Sequence, residues 1–453
     1  MFKSINPATG ADIATYPELS REEIAQKLDM AMASFQQWRR TPPAARAELL
    51  SRIADSFERN KDRLAAMATM EMGKTLKSSL AEVEKCVSGF RFYAKAGPEM
   101  LAPTHTGVAQ GSVETYWLPQ GAVLAIMPWN FPYWQVVRFL APTIMAGNVG
   151  LLKHASLVQG VANLLEEMVH EAGAPAGLFQ NLAIKSDAVA DLIADPRVTA
   201  VTLTGSEGAG IAVAEQAGRN LKKIVLELGG SDPFIVMPSA DLDQAVAQAV
   251  TARIQNTGQS CICGKRMIAH TAIYDTFLER FAAAMRAVKE GDPMDPHSDM
   301  GPLSSMGQRD TVLRQLAEAQ RIGAKLCGGE KPEGPGAYLT AGILTDIPVG
   351  SALTAEEIFG PIAMMFRAAD LDDAVRIAND VPYGLGSSVW TQDAEEQARF
   401  ITDLQTGMTA FNQILASTPE APFGGVKRSG HGRELGRYGL QEFTNVKSVF
   451  YAR

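Results

Sequence analysis

Ala122-Val123-Leu124-Ala125-Ile126-Met127 is a short continuous apolar run, closed by Pro128-Trp129-Asn130-Phe131-Pro132. A run of this length without alternation suits a strand buried on both faces, as in a parallel sheet. Two more follow: Val149–Leu152, ended by Lys153, and Val198–Leu203, ended by Thr204-Gly205-Ser206. Helices are predicted between them, near Val136–Ala146 and Val158–Ala172, and Ile224–Leu228 adds a strand. Strand and helix in alternation are the signature of an open α/β sheet.

Upstream, the first hundred or so residues read as helical. Ser20 and Glu23 form a capping box, and Ile24, Leu28, Ala31, Phe35 and Trp38 then follow along one helix face. Pro42-Pro43 stops that helix; the pattern resumes through Leu49, Ile53, Phe57 and Leu64, then from Leu76 to about Phe92. From Gly107 the character changes, and Val113, Thr115 and Trp117 alternate with polar residues as a hairpin strand would. Downstream of Gly229-Gly230 the α/β alternation repeats. Strands are predicted at Phe234–Met237, Arg266–His270 and Ala363–Phe366. Helices are predicted at Leu242–Gln255, up to about Glu290, and near Gln308–Ile322. Thr444–Val449 reads as a strand able to pair with the Val113–Trp117 ribbon or with another subunit.

A chain of 453 residues exceeds one ordinary core and predicts two or three domains. Forty-two basic residues against fifty acidic ones leave a formal charge of −8, so no cationic surplus points to nucleic acid or an anionic membrane. Four cysteines are too few for a disulfide scaffold; none lies in a CxxC, and the six histidines lack metal-ligand spacing, so no metal site is expected. Met1–Pro7 has no apolar signal core and no run approaches a membrane span, so a reduced, soluble, cytoplasmic protein is expected.

Four local features could carry chemistry. Thr257-Gly258-Gln259-Ser260-Cys261 sets a cysteine in a glycine-bracketed loop; it reads as a nucleophile or as a small buried hydrophobe. Glu227-Leu228-Gly229-Gly230 ends a strand, where an α/β sheet delivers active-site groups; a surface or salt-bridged glutamate is the other reading. Asn130 follows a buried strand and could donate to an oxyanion, or could serve a rigid Pro-bracketed turn. Thr204-Gly205-Ser206 opens a helix and could face a phosphate, or be a plain βα turn.

Taken in order, these motifs resemble the aldehyde dehydrogenase superfamily over essentially the whole chain. Glu71-Met72-Gly73-Lys74, Pro128–Pro132, Lys153, Thr204-Gly205-Ser206, Glu227–Gly230, Gly258–Cys261, Glu357-Ile358-Phe359-Gly360-Pro361 and Pro422-Phe423-Gly424-Gly425 stand in the family's order. Lys427, Ser429-Gly430 and Gly432-Arg433-Glu434 complete the last motif. The resemblance implies a Rossmann-type cofactor domain (1–103 and 119–229), an α/β catalytic domain (230–435) and a small β extension for oligomerisation (104–118 and 436–453). It makes Cys261 the nucleophile, Asn130 the oxyanion donor with the Cys261 backbone N–H, and Glu227 the base that activates water. Trp129, Lys153, Gly205, Ser206, Glu357 and Phe359 are implied to hold NAD or NADP.

Ser156 stands where many NAD-preferring relatives have a glutamate, and Lys153-His154 lacks the usual proline, so tolerance of NADP is expected without exclusion of NAD. Arg138 and Ser417 match residues that semialdehyde-type relatives place on the substrate's far carboxylate, with Phe423 beside them; a structural ion pair is the other reading of Arg138. Gln255 departs from an arginine found in some of those relatives. Cys261-Ile262-Cys263 resembles a pair that can form a redox-sensitive disulfide, making Cys263 a candidate redox partner; a small core residue is the other reading. Within the family the chain is most similar to the bacterial succinate-semialdehyde dehydrogenase branch. A homodimer or homotetramer is implied. The competing readings are a dehydrogenase for glutarate semialdehyde, an amino-aldehyde or an aliphatic aldehyde, and a catalytically silent binding protein. A CoA-acylating enzyme is disfavoured because Glu227 would divert the thioester to acid.

Overall fold

The computed structural model describes residues 1–348 and 350–452. Six strands form the first sheet, in the order Gly430–His431, Lys223–Glu227, Val198–Thr204, Ala122–Met127, Val149–His154, Phe179–Asn181. All but Gly430–His431 run parallel. Val149–His154 is wholly buried and Ala122–Met127 is buried except for half-buried Ile126, as the continuous apolar runs require. The chain enters at Ala122–Met127, moves to one edge, then returns to the other side through Val198–Thr204. The order therefore switches between these two strands, and ligands bind at such a switch, outside the strands' C-terminal ends. Met127, Thr204 and Glu227 end three adjacent strands. Hydrogen-bond topology thus brings three separate motifs to one edge.

Four helices from the first hundred residues pack on this sheet: Arg21–Trp38, Pro43–Arg59, Lys61–Met72 and Leu76–Met100. The Ser20–Glu23 capping box is present in both directions, at 3.2 and 2.7 Å, and the Leu28, Ala31, Phe35 and Trp38 stripe is buried. Two differences from expectation stand out. Helix Leu76–Met100 runs past Phe92, because buried Tyr93 and Gly97 extend its apolar stripe. Before the first helix, Phe2–Ile5 pairs with Asp12–Tyr16 as an antiparallel hairpin. Its strands are too short for a periodic signal, although Phe2 and Ser4 point inward in alternation.

The second sheet has seven strands, in the order Lys325–Gly328, Gly342–Thr345, Ile362–Ala368, Arg266–His270, Pro233–Val236, Ser388–Trp390, Ala410–Phe411. Alternate side chains feed two cores. Phe234, Val236, Met267 and Ala269 pack with Leu242–Ile254 and Tyr274–Arg286. Ile235, Ile268 and Ala368 pack with Leu371–Asn379 and Ala394–Asp403. The outer strands escaped the sequence because they are short and lie next to glycine. A third, antiparallel ribbon joins Thr104–Val108, Gly111–Pro119 and Thr444–Ala452. The last strand pairs along its full length with the second, from Thr444 opposite Pro119 to Ala452 opposite Gly111.

Candidate active site

Cys261 sits in a loop whose shape is set by three successive left-handed residues, Asn256 (φ 53°), Thr257 (φ 55°) and Gly258 (φ 72°). The two non-glycine residues cost on the order of 1–3 kcal/mol each. Side-chain bonds offset that strain. Asn256 Nδ2 donates to the carbonyls of Asn130 (2.6 Å) and Gln259 (3.1 Å), and Thr257 Oγ1 donates to Gly301 O at 3.1 Å. Gly258 has no alternative, since a Cβ there would lie 2.3 Å from Gly360 O. The cysteine loop is thereby pressed against the Glu357–Pro361 segment. Fully buried Arg253 ties the two together by donating to the carbonyls of Gly258 (3.1 Å), Ile358 (3.3 Å) and Gly360.

Two cavities meet at Cys261. The first, of about 280 Å³, is walled by Trp129, Asn130, Gly205, Ser206, Glu227, Glu357 and Phe359. The second, of about 100 Å³, is walled by Lys85, Trp134, Arg138, Ser417 and Phe423. Cys261 and Gln135 line both. Burial pushes the Cys261 thiol up to about 12, against the opposing pull of Arg138 and Lys265. The free thiol is therefore neutral at rest, and its thiolate must be generated by what binds beside it. Asn130 Nδ2 donates to Gln259 O at 3.0 Å, which aims the amide at the cysteine loop and leaves its second N–H for another acceptor. The Cys261 N–H has no acceptor among the described residues.

On the first cavity's wall, Trp129 and Phe359 meet edge to face at 5.8 Å. Glu357 is held by Lys265, whose Nζ lies 3.0 Å from Oε1 and also donates to the carbonyls of Ser260 (2.8 Å) and Cys261 (2.7 Å). A Cβ on Gly229 would come within 2.3 Å of Glu357 Oε2, so a larger residue there would push that carboxylate aside. Ser206 caps helix Glu207–Arg219, accepting from Ala209 N at 3.4 Å, and Gly205 N donates to Glu227 O at 3.0 Å. Lys153 is buried and forms no ion pair among the described residues; burial lowers its pKa. Ser156 is exposed on the same edge. An aromatic pair, a carboxylate, a glycine turn and a helix N-terminus suit a dinucleotide. His154 occupies the place of the missing proline. It spans Met127 O (3.2 Å) and Pro132 O (2.9 Å), and burial drives its pKa to about 4, so it is a neutral strut.

Glu227 is buried, and neither carboxylate oxygen has a hydrogen-bond partner among the described residues. Burial, then the nearby Glu434 carboxylate, raises its pKa well above the usual carboxylate range; Arg138 and Arg433 pull the other way. Gly424 (φ +152°) admits it, since a Cβ would lie 2.5 Å from Glu227 Oε1. Ser429 braces the same strand end, its backbone O accepting from Leu228 N at 2.9 Å and its Oγ donating to Gly229 O at 2.8 Å.

Arg138 reaches the second cavity with its guanidinium already engaged. Nε lies 2.7 Å from Glu434 Oε2, with the side chains 3% and 4% exposed. One Nη bonds Thr204 Oγ1 at 3.3 Å, and the guanidinium stacks over Phe423 at 4.4 Å. Ser417 Oγ accepts from Trp134 Nε1 (2.7 Å) and from Lys85 Nζ (3.1 Å). Gln255 also faces this cavity. Cys263 is buried with Sγ 3.7 Å from Gln255 O, and both loop cysteines are free thiols.

Four residues here escaped sequence reasoning: Lys85, Asn256, Lys265 and Glu434 as the partner of Arg138. The Glu71–Lys74 motif is structural. Glu71 accepts from Gly160 N and Val161 N at 3.0 Å, capping helix Gln159–Glu171. Lys74 pairs with Glu82, whose other oxygen accepts from Tyr133 N and Trp134 N at 2.9 Å, capping the helix that carries Arg138. Among the described residues no acidic, histidine or cysteine cluster could hold a metal ion, and no helix is long and apolar enough to cross a membrane.

Comparison with known proteins agrees with this geometry. Residues 1–449 match the aldehyde dehydrogenase family. A succinate-semialdehyde dehydrogenase [NADP(+)] of Mycobacterium avium (strain 104) is 51% identical over 99% of this chain and 96% of that protein. Succinate-semialdehyde dehydrogenase [NADP(+)] 1 of Mycobacterium tuberculosis (strain ATCC 25618 / H37Rv) is 49% identical over 99% of both. The crystal structure of succinic semialdehyde dehydrogenase from Streptococcus pyogenes in complex with NADP+ superposes with a TM-score of 0.98, at 36% identity, over 100% of both chains. The cysteine at a two-cavity junction, the orphaned buried glutamate and the full-length match converge: this chain belongs to the aldehyde dehydrogenase family.

Proposed function

We propose that this protein oxidises succinic semialdehyde to succinate with NADP. The observation that carries the reading is Cys261 at the meeting point of two cavities, one walled by an aromatic pair, a carboxylate and a glycine turn, the other by cationic and hydroxyl side chains. The relatives named succinate-semialdehyde dehydrogenase [NADP(+)], at 49–51% identity, support it.

In this reading Trp129, Phe359, Glu357, Gly205, Ser206, Lys153 and Ser156 hold the cofactor. Exposed Ser156, with no carboxylate in its place, tolerates a 2′-phosphate. Cys261 gives up its S–H proton to solvent, Sγ attacks the aldehyde carbon and the carbonyl π pair moves to oxygen, giving a thiohemiacetal oxyanion. The Asn130 amide and the Cys261 N–H receive the oxyanion, an arrangement worth about 3–4 kcal/mol per donor in comparable sites. NADP, when bound, supplies the hydride acceptor that converts this adduct to a thioester. Glu227 then takes a proton from water, which attacks the thioester carbonyl, and succinate leaves as Sγ is released. A raised pKa suits a base that must work near neutrality. Arg138, Ser417 and Phe423 shape the far end of the substrate cavity.

Residues 1–103 and 119–229 serve as the cofactor domain, 230–435 as the catalytic domain, and 104–118 with 436–453 as the surface through which copies associate into a homodimer or homotetramer. The last strand supports association: it is a sheet edge, with Val446 and Phe450 59% and 75% exposed, and open edges of this kind invite pairing. The cytoplasm is the proposed location. Initial rates of NADPH and NADH formation with succinic semialdehyde, glutarate semialdehyde, an amino-aldehyde and butanal test the proposal. It predicts the highest kcat/KM for succinic semialdehyde with NADP. An equal or higher value for butanal refutes it.

A further inference from the structure

The second cavity contains two cations with different electrostatic standing. Arg138 is neutralised by buried Glu434 at 2.7 Å. Lys85 has no carboxylate within ion-pair distance among the described residues. On its own helix, Glu82 is fully used: one oxygen pairs with Lys74 and the other accepts from Tyr133 N and Trp134 N; Glu84 pairs with Lys61. Lys85 Nζ instead donates to Ser417 Oγ at 3.1 Å and lies 4.7 Å from the Trp134 ring centroid, facing the cavity that ends at Cys261.

A half-buried ammonium without a counter-ion, placed beside a hydroxyl and an aromatic face, is a receptor for an anion. Ser417 already accepts from Lys85 and from Trp134 Nε1. Its own O–H is therefore left to donate. We propose that Lys85, with Ser417, is the specificity-determining cation that receives the substrate's second carboxylate, taking the part that an arginine at position 255 would play where glutamine stands. Arg138, already balanced, then orients the carboxylate and leaves its discrimination from a neutral chain end to Lys85. This inference rests on the semialdehyde reading above and deepens it.

The electrostatics of the pocket agree. Burial, and then Arg138, lower the Lys85 pKa to about 8, with Lys74 adding to the decrease and Cys86 and Glu82 opposing it.

The test is the ratio of kcat/KM for succinic semialdehyde to that for butanal, in wild type, Lys85→Met and Lys85→Arg. The expected result is a ratio lowered by about 30–100-fold in Lys85→Met, the size of a lost charged hydrogen bond, carried mainly by KM, and largely restored in Lys85→Arg. A second readout needs no variant: in wild type the same ratio should fall as pH rises through about 8, because only the ammonium attracts the carboxylate. A wild-type preference for the semialdehyde that survives both Lys85→Met and the pH rise overturns the Lys85 proposal alone. A wild-type ratio near unity overturns the substrate reading, and this proposal with it.

Discussion

Replacing Glu434 by glutamine tests two parts of the site at once. The change keeps shape and removes one charge from a buried pair whose side chains are 3% and 4% exposed. Removing one partner of such a pair costs about 3–5 kcal/mol, because the remaining guanidinium stays buried without a counter-ion. Unfolding entropy near 2.1 cal/mol/K per residue, over 453 residues, comes to about 1 kcal/mol/K. If the chain unfolds as one unit, Tm therefore falls by about 3–5 °C. Glu434 is also the charged neighbour that raises the Glu227 pKa after burial itself. Glutamine removes that repulsion and leaves the attraction of Arg138, so the Glu227 pKa must fall. A general base works only when deprotonated, so activity rises with pH through its pKa. The acid limb of the kcat profile therefore lies above the ordinary carboxylate range in wild type and moves to lower pH in Glu434→Gln. Differential scanning fluorimetry and a kcat profile from about pH 5 to 9 measure both. A Tm within about 1 °C of wild type together with an unmoved acid limb would refute the coupled arrangement.

Two further substitutions probe neighbouring features. Gly424→Ala places a methyl where only 2.5 Å separates it from Glu227 Oε1, so stopped-flow traces should keep the NADPH burst and show slowed steady-state turnover; a lost burst would place the damage at acylation instead. Ser156→Glu introduces a carboxylate that repels a 2′-phosphate, so kcat/KM for NADP should drop at least about tenfold while that for NAD changes little; equal changes for both cofactors would move the phosphate site elsewhere.

Much of this arrangement was readable in the chain, for identifiable reasons. Cys261, Glu227 and Asn130, the residues proposed to carry the chemistry, lie in runs marked by glycine or proline. The apolar strands that present Asn130 and Glu227 are long enough to recognise. Lys265, Asn256 and Lys85 carried no such signal. A lysine four residues after Cys261 is unremarkable until folding turns its ammonium onto two carbonyls and Glu357. Lys85 lies 332 residues from Ser417 in the chain, and only tertiary packing brings them within hydrogen-bond distance. Arg138 illustrates the complementary difficulty. Its position was predicted, but its charge balance depends on Glu434, delivered by a backbone bridge in which Phe423 and Glu434 exchange hydrogen bonds of 2.7 and 2.8 Å. Short strands of the second sheet, such as Ser388–Trp390, were invisible because a three-residue run has no measurable period.

The measurement that bears most directly on the mechanism is peptide mass mapping of Glu227→Gln after mixing with succinic semialdehyde and NADP. Without its base, the variant should release about one NADPH per subunit and then stall, with a succinyl group that fragmentation of the peptide carrying both Cys261 and Cys263 places on Cys261, lost on treatment with hydroxylamine. Undiminished turnover, or an acyl group on Cys263 or any other residue, would contradict the assignment of Cys261 and Glu227.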